Sequence, residues 1–172
     1  MIYIIGIGSN MSSKYGNSVK SLKTVIKKLK KNNMNIIKKS SLYSSPPKDF
    51  NRAAYKFVNG AIMICSTLKP ENLLMVFKKI ETDMGRNIYK KNESRTCDLD
   101  ILLMRPGNSL DSQGNRGKCL IPHPRLHERE FVLKPMMDIC RNWIHSEKKQ
   151  TISEIYRSSN IDDKVYKIAE TL

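Results

Sequence analysis

The fold is decided by the sequence KFVNGAIMICSTLKPENLLMVFKKIETDM, residues 56–84. Its first part, residues 56–66, is mostly apolar, which predicts a buried strand. Pro70 then stands at a favoured first-turn position for a helix, and Gly85 suits the C-terminal stop. Between them apolar side chains recur at spacings of three and four: Leu73, Leu74, Phe77, Ile80 and Met84. The stretch therefore predicts a strand followed by an amphipathic helix.

The segments on either side extend the same plan. Four further elements are predicted: a strand at 2–8, a helix at about 19–29 capped by Asn17 or Ser18, a strand at 35–45 and a strand at 97–104. The order strand, helix, strand, strand, helix, strand is that of the ferredoxin-like split βαβ plan. We therefore predict an α+β fold with an antiparallel sheet and two helices packed on one of its faces.

The rest of the chain predicts fewer regular elements. Residues 105–118 are rich in Gly, Asn and Ser, which predicts a surface loop. A helical pattern resumes at about Leu126, and weaker helical patterns continue to the C-terminus. We predict a single domain that covers residues 1–172. Its core covers about residues 1–140, and residues 141–172 form a C-terminal helical extension.

Charge narrows the choice of partners. Lys and Arg number 31 against 16 Asp and Glu, which gives a formal net charge of +15. Such a charge favours anionic partners, including nucleotides, nucleic acid and anionic membranes. A general bias of the chain toward Lys, Asn, Ile and Ser would produce the same total, and both explanations stay open.

Cysteine spacing and hydropathy exclude several other classes. The four cysteines form no Cys-x-x-Cys pair, which argues against a zinc site and a disulfide framework and favours reduced thiols. No apolar run approaches the length of a membrane span, and no positive residue precedes Lys14 as a signal peptide would require. We therefore expect a cytoplasmic protein.

Asp98 and Asp100 are the first candidates for chemistry. They alternate with Leu99, Ile101 and Leu103, so a strand would turn both carboxylates to one face and the apolar residues to the core. Two carboxylates on one face repel each other unless a cation lies between them. Hard oxygen ligands with few His or Cys nearby suit Mg²⁺, although an exposed strand face would also explain the pattern.

Cationic side chains surround this strand in the sequence. Arg86 and Arg95 flank a polar segment that leads into it, and such arginines can neutralise phosphate oxygens. His123 lies between two prolines, either as a turn residue or as a donor to a phosphate oxygen. A Walker A pattern is absent, so ATP would have to be bound by side chains and metal.

Six blocks of the chain resemble, in order, those of the 6-hydroxymethyl-7,8-dihydropterin pyrophosphokinases of folate biosynthesis. The blocks are YIIGIGSN at 3–10, SLYSSPP at 41–47, FVNGA at 57–61, IE and GR within 80–86, RTCDLDIL at 95–102, and IPHPR and REFVL within 121–133. Together they span about residues 2–140.

The resemblance implies a ferredoxin-like monomer that uses ATP as co-substrate and two Mg²⁺ ions. The family transfers the β,γ-pyrophosphoryl group of ATP to the pterin hydroxymethyl oxygen and releases AMP. The metal ligands implied are Asp98 and Asp100, and the catalytic arginines are Arg86 and Arg95. The residues implied for ATP are Glu81, Arg86, Arg95, Ile101, His123 and Arg129. Those implied for the pterin are Ser45, Pro46, Phe57, Asn59 and Phe131. Neither nucleic acid nor membrane is expected as a partner, whereas coupling to or fusion with dihydropteroate synthase is left open.

The chain departs from the family pattern near its loop. Ile88 stands where a second arginine is usual, Ser94 replaces a proline, and the usual tryptophan is missing. We expect the closing role to fall to the residues that stand there instead: Tyr89, Lys90 and Lys91. Lys48 also replaces a usually apolar residue beside the pterin.

Two alternative functions deserve a comparison with this one. A ferredoxin-like RNA-binding module would stack bases on exposed aromatic residues of its sheet, in a pattern that this chain lacks. Another two-metal nucleotide-dependent transferase would also need paired carboxylates. The Pro-His-Pro and Ser-Pro-Pro blocks are not explained by that second alternative.

Overall fold

A computed structural model describes residues 1–48, 54–86, 93–105, 115–116 and 119–172, without the side chains of 115, 116, 119 and 169–171. Its strands are β1 Ile2–Ser9, β2 Asn35–Lys39, β3 Ser41–Ser45, β4 Phe57–Cys65, β5 Asp98–Arg105, β6 Asn115–Arg116, β7 Cys119–Leu120 and β8 Tyr166–Thr171. Its α-helices are α1 Ser18–Lys31, α2 Pro70–Asp83, α3 Glu130–Cys140 and α4 Ile152–Ser158. A short 3-10 helix, Leu126–Glu128, precedes α3.

Six of these strands form one antiparallel sheet in the described part of the chain. Its order is β5-β1-β4-β3-β8, and β2 pairs with β4 beside β3. Helices α1 and α2 cover one face, where Tyr3 and Phe77 are fully buried. Helices α3 and α4 cover the other face, where Ile4 and Leu133 are fully buried. The α+β prediction is confirmed, with a second helical layer in addition to the one expected.

The local signals that start and stop the helices are also confirmed. Asn17 caps α1 by accepting a hydrogen bond from the N–H of Lys20 at 3.0 Å. Pro70 begins α2, and Gly85 follows its end with φ +89°, a conformation that glycine adopts without strain.

The prediction of one continuous strand at 35–45 is wrong. The segment forms two strands that are interrupted at Ser40. The register against β4 shifts by one residue within β2, between Ile36 and Lys38, and by one more between Lys39 and Tyr43, because the segment contains more residues than the stretch of β4 opposite it. The side chain of Ser40 replaces the missing backbone pairing. Its Oγ accepts a hydrogen bond from the N–H of Ala61 at 2.8 Å, while its own N–H donates to the carbonyl of Ala61 at 2.9 Å.

Two further expectations need correction. The register of β1 and β5 shifts between Ile4 and Ile5, so Leu103 pairs with Ile4 and packs against α3, away from Leu99 and Ile101. The extra residue in β5 reverses the alternation of faces beyond it. The C-terminal extension is also not purely helical, because it ends in β8, which pairs with β3. Strand β6 falls within the predicted loop at 105–118 and pairs with β7, which directly follows that loop.

None of the helices formed by the described residues is long and apolar enough to cross a bilayer.

The core of the α1 and α2 layer gives a prediction about stability. Phe77 is fully buried, so Phe77→Ala should lower the free energy of unfolding by about 3–5 kcal/mol. Met75 lies on the same helix but is 63% exposed, and Met75→Ala should change it by less than about 0.5 kcal/mol. Urea denaturation of both variants measures the difference, and equal effects would contradict this assignment of the core.

Candidate active site

The site lies where the ends of four strands meet on the α3 face of the sheet. Gly8 of β1 is paired with Asp98 of β5 on one side and with Asn59 of β4 on the other. A cavity of about 160 Å³ opens above them. A Cβ atom on Gly8 would lie only 3.2 Å from Oδ1 of Asn59, so the glycine keeps the floor of the cavity open.

The two carboxylates share one face, as predicted. Asp98 and Asp100 both line the cavity, whereas Leu99 and Ile101 lie in the core on the other side of the sheet. Burial, reinforced by the negative charges of Asp98 and Glu81, raises the pKa of Asp100 to about 6. The nearby cations therefore do not offset the burial of Asp100 and its repulsion by Asp98 and Glu81.

Asp98, in contrast, already has cationic partners. Nη1 of Arg86 donates to its Oδ1, and Nη1 of Arg95 donates to its Oδ2 at 2.8 Å. Arg86 also donates to Oε1 of Glu81 at 2.6 Å. Burial lowers the pKa of the Arg86 guanidinium, but Asp98 and Glu81 together outweigh it and raise that pKa.

Glu81 is fully buried and holds this cluster to the fold. Its Oε1 accepts the backbone N–H of Leu99 at 2.8 Å, and its Oε2 accepts from Nζ of Lys78 at 2.8 Å. The turn at Gly85 brings the chain back, so that the N–H of Arg86 reaches the carbonyl of Glu81 at 3.0 Å. Helix α2 and strand β5 are thus joined through one carboxylate.

Asn10 anchors the segment that carries Arg95. Its Oδ1 accepts the N–H of Arg95 at 2.7 Å, and its own N–H donates to the carbonyl of Arg95 at 3.1 Å. Its Nδ2 donates to Oγ of Ser94 at 3.1 Å and to the carbonyl of Tyr55 at 3.3 Å. Asn10, the residue directly after β1, therefore determines where this arginine enters the site.

His123 and Arg129 form the wall of the cavity beside α3. Nδ1 of His123 accepts the N–H of Arg125 at 3.1 Å, so in the neutral ring Nε2 carries the proton and is the donor. Burial, and then the charge of Arg129, lowers the pKa of His123. A neutral imidazole is thus available to donate a hydrogen bond.

On the β4 side of Gly8, directly beside Asp98, the cavity has an aromatic and amide-lined end. Phe57 and Phe131 both line it, together with Ser45, Pro46 and Asn59. Nδ2 of Asn59 donates to Oγ of Ser45 at 3.0 Å, which fixes the orientation of the buried amide. A flat polar ring would find both aromatic faces and hydrogen-bonding atoms here.

The cavity brings together most of the predicted site residues. Those that line it are Ser45, Pro46, Phe57, Asn59, Arg95, Asp98, Asp100, His123, Arg129 and Phe131. Arg86 donates hydrogen bonds to Asp98, which lines the cavity, and to the buried carboxylate of Glu81. The side chain of Ile101 is in the core, so any contact with ATP would come from its backbone. Ile88, Tyr89, Lys90 and Lys91 lie outside the described residues.

The sequence analysis did not predict three residues that help to hold the site together: Asn10, Lys78 and Asp163. The role of Asn10 had a signal, because a polar amide follows the strand predicted at 2–8 and belongs to the block YIIGIGSN. Lys78 had a weaker one, its spacing of three from Glu81 on a helix. Asp163, which binds Lys48 at the edge of the cavity, had none, because the two residues are 115 positions apart.

Fold and site together define a class of protein. A cavity that joins paired carboxylates and arginines to two aromatic rings suits an enzyme that brings a polyphosphate to a flat organic acceptor. Residues 4–141 match the family model described as 7,8-dihydro-6-hydroxymethylpterin-pyrophosphokinase (HPPK), and the chain belongs to this family. The resemblance inferred from the sequence blocks is confirmed.

Individual relatives agree with the family match. The chain is 37% identical over 119 residues to the 2-amino-4-hydroxy-6-hydroxymethyldihydropteridine pyrophosphokinase of Bacillus subtilis, covering 69% of this chain and 66% of that protein. It is 31% identical over 151 residues to the enzyme of the same name from Aquifex aeolicus, covering 87% of each. It is 35% identical to the folic acid synthesis protein fol1 of Pneumocystis carinii, over 82% of this chain but 18% of that protein. The chain thus spans about a fifth of the last relative.

Solved structures share the fold. The HPPK-DHPS of Plasmodium falciparum, wild type with SDX-DHP, has a TM-score of 0.67 at 16% identity, over 91% of this chain and 44% of that chain. An HPPK-DHPS in complex with substrates gives the same TM-score, over 91% of this chain and 43% of that chain.

The raised pKa of Asp100 predicts an effect of pH on stability without metal. A carboxyl whose pKa is about 6 when folded, above its ordinary value, binds protons more tightly in the folded state. Its contribution to stability is therefore lost as pH rises from about 4 to 6. Asp100→Asn should stabilise the metal-free protein by about 2 kcal/mol at pH 7.5 and hardly at pH 3.5.

Urea denaturation at the two pH values, in the presence of a chelator, checks this expectation. Asp83 is an exposed carboxylate and serves as the matched control, so Asp83→Asn should have the same small effect at both values. A gain for Asp100→Asn that did not depend on pH would contradict the proposed electrostatic cause.

Proposed function

We propose that the chain transfers the β,γ-pyrophosphoryl group of ATP to the hydroxymethyl oxygen of 6-hydroxymethyl-7,8-dihydropterin and releases AMP, in folate biosynthesis. Family membership supports this activity. The observation that carries it is one cavity lined by Asp98, Asp100 and Arg95 and, across Gly8, by Phe57 and Asn59. Such a cavity can hold a charged donor and a flat acceptor side by side.

Two Mg²⁺ ions are proposed at Asp98 and Asp100. The donor set fits, because Asp100 is a buried carboxylate beside another carboxylate, and a cation would offset the repulsion. Two carboxylates suit Mg²⁺, which takes one or two carboxylates and completes its shell with water and phosphate oxygens. The ions would neutralise charge on the polyphosphate.

The phosphates of ATP are assigned to four cationic or donor side chains: Arg86, Arg95, His123 and Arg129. Both Arg86 and Arg95 already lie at Asp98, where a metal-bound phosphate would arrive. Nε2–H of His123 can donate one hydrogen bond, and the guanidinium of Arg129 can bind two oxygens at once. Glu81 would act by holding Arg86 in place, since its carboxylate is fully buried.

The pterin is assigned to the aromatic end. Its ring would lie between Phe57 and Phe131, and its edge would meet Asn59 and the backbone of Ser45 and Pro46. In the transfer, a bond forms between the hydroxymethyl oxygen and the β-phosphorus. The bond between this phosphorus and the oxygen that bridges to the α-phosphorus breaks, so AMP leaves and the hydroxyl proton is released. Arginines that hold the leaving and transferred phosphates would stabilise the charge that develops.

Further properties of the whole protein are also proposals. We infer that the core follows the ferredoxin-like plan, which the order β5-β1-β4-β3 supports. The names HPPK-DHPS of the structural neighbours support a coupling to dihydropteroate synthase. The monomeric state and the cytoplasmic location stay predictions, and two plant relatives are named as mitochondrial.

The RNA-binding alternative is less well supported. Both faces of the main sheet are packed with helices in the described part of the chain, which leaves little exposed sheet on which bases could stack. Another two-metal transferase would share the carboxylates, but the family match favours the pterin enzyme.

Product analysis tests the proposed function. With ATP, Mg²⁺ and hydroxymethyldihydropterin, the protein should form AMP and the pterin diphosphate in equal amounts, and not ADP. Asp98→Ala should reduce turnover by at least about 100-fold, because a ligand to the metal and a partner of both arginines is lost. Asp83→Ala is the matched exposed control. Chromatography showing stoichiometric ADP would rule out pyrophosphoryl transfer.

A second variant tests the division of labour between binding and chemistry. Arg95→Ala should slow the chemical step by about 100-fold and change the Kd of ATP by less than about threefold, if its contact forms mainly in the transition state. Arg105, at the far end of β5 and stacked on Trp143, provides a control arginine. Rapid-quench kinetics and equilibrium binding separate the two quantities. An equal loss in both would make Arg95 a ground-state anchor for ATP.

A further inference from the structure

The N-terminus of α3 is capped from the C-terminal extension. Arg129 is the N-cap residue but makes no side-chain cap hydrogen bond. Instead, Oδ2 of Asp163 accepts the N–H of Glu130 at 3.2 Å, and Oε2 of Glu130 accepts the N–H of Asp163 at 3.0 Å. This reciprocal pair fixes the end of the helix that carries Arg129 and Phe131, the two α3 residues assigned to ATP and pterin.

The same carboxylate holds a lysine at the edge of the cavity. Nζ of Lys48 lies 2.9 and 3.0 Å from the two carboxylate oxygens of Asp163 and also donates to the carbonyl of Glu128 at 3.0 Å. The side chains are only partly exposed, at 32% for Lys48 and 18% for Asp163. Lys48 lines the cavity together with Phe131. Asp163 therefore binds one residue that lines the cavity, Lys48, and the backbone of Glu130, which directly precedes another, Phe131.

Asp163 is itself held firmly in place. Val165, two residues later, is buried, and its carbonyl accepts from Nζ of Lys134 at 2.7 Å. Lys134 in turn donates to Oε1 of Glu130 at 2.8 Å. Strand β8 begins directly after this point and pairs with β3, the strand that leads to Ser45 and Lys48. The extension is thus joined to the cavity through backbone and side chains.

We propose that Asp163 is a positioning residue for the pterin end of the site, which deepens the proposed function and rests on it. Its carboxylate keeps the ammonium of Lys48 at the rim and keeps Phe131 in register. Residue 163 lies beyond the region matched by the family model, which ends at residue 141. The extension therefore supplies a determinant of the site that this region alone does not contain.

The physical reason lies in the charge and length of the lysine. Without Asp163, the Lys48 ammonium loses its ion pair, and its flexible stem is free to enter the cavity. The carboxylates that line the same cavity are Asp98 and Asp100, which would attract it. An ammonium inside the cavity would occupy volume that the acceptor needs. The loss of Asp163 should therefore weaken pterin binding first.

Steady-state kinetics of three full-length variants test the proposal. Asp163→Asn keeps an oxygen that can cap α3 but loses the charge that holds Lys48. It should raise the KM for the pterin about tenfold, with kcat and the KM for ATP within about twofold of wild type. Asp163→Asn combined with Lys48→Met removes the released ammonium and should restore the KM to within about threefold. Asp162→Asn, at an exposed neighbouring carboxylate, should have no effect.

Two outcomes of the kinetics would overturn the proposal. An unchanged KM for the pterin in Asp163→Asn would show that the ion pair does not affect the site. A similar loss in kcat and in both KM values, without recovery in the double variant, would show a purely structural role.

Amide exchange makes the test independent of activity. In the protein without ligands, Asp163→Ala should speed exchange of the Glu130 N–H at least tenfold, and Asp162→Ala should not. Unchanged exchange of the Glu130 N–H in Asp163→Ala would overturn the capping role. An inactive wild type would instead refute the proposed function, and the exchange measurement would still test the cap. Should Asp163→Ala fail to fold, the kinetics of Asp163→Asn still decide.

Discussion

The buried carboxylate of Glu81 is the contact on which the site depends. It accepts from the backbone of Leu99, from Lys78 on its own helix and from Arg86. Helix α2, the start of strand β5 and the first arginine of the site are thereby tied to one point. A fully buried charge is tolerated only with such partners, and removing one partner of a buried pair costs about 3–5 kcal/mol. The position of Asp98 follows from this arrangement, since it shares Arg86 with Glu81.

The two helical layers on either face of the sheet have different roles. The α1 and α2 layer is largely apolar and supplies the core from which Leu99 and Ile101 hold β5 in place. On the other face, α3 packs only over part of the sheet, and glycines at positions 6 and 8 leave space where its first turn passes. A side chain at Gly6 would meet Leu102 at 3.3 Å. The cavity is therefore a consequence of missing side chains in β1 as much as of the residues that line it.

The C-terminal extension is part of the same construction. It adds β8 to the sheet next to β3, and Asp163 closes the gap between β3 and α3. The connection joins three segments that are distant in the chain: β3, the start of α3 and the C-terminal extension.

The sequence by itself determined whatever depends on neighbours along the chain. Period-two alternation placed Asp98 and Asp100 on one face, spacings of three and four marked α1 and α2, and Asn17 and Gly85 marked their ends. Together with the family blocks, these signals predicted most residues of the cavity. The tertiary structure alone decided the rest. A register shift against β4 between Lys39 and Tyr43 accompanies the break of the strand at Ser40, and a shift against β1 turned Leu103 to the other face. Such shifts depend on how many residues the partner strand offers, and pairs such as Lys48 and Asp163 meet only after β3 and α3 have been brought together. No local pattern can encode them, because the energy comes from contacts between segments that are distant in the chain.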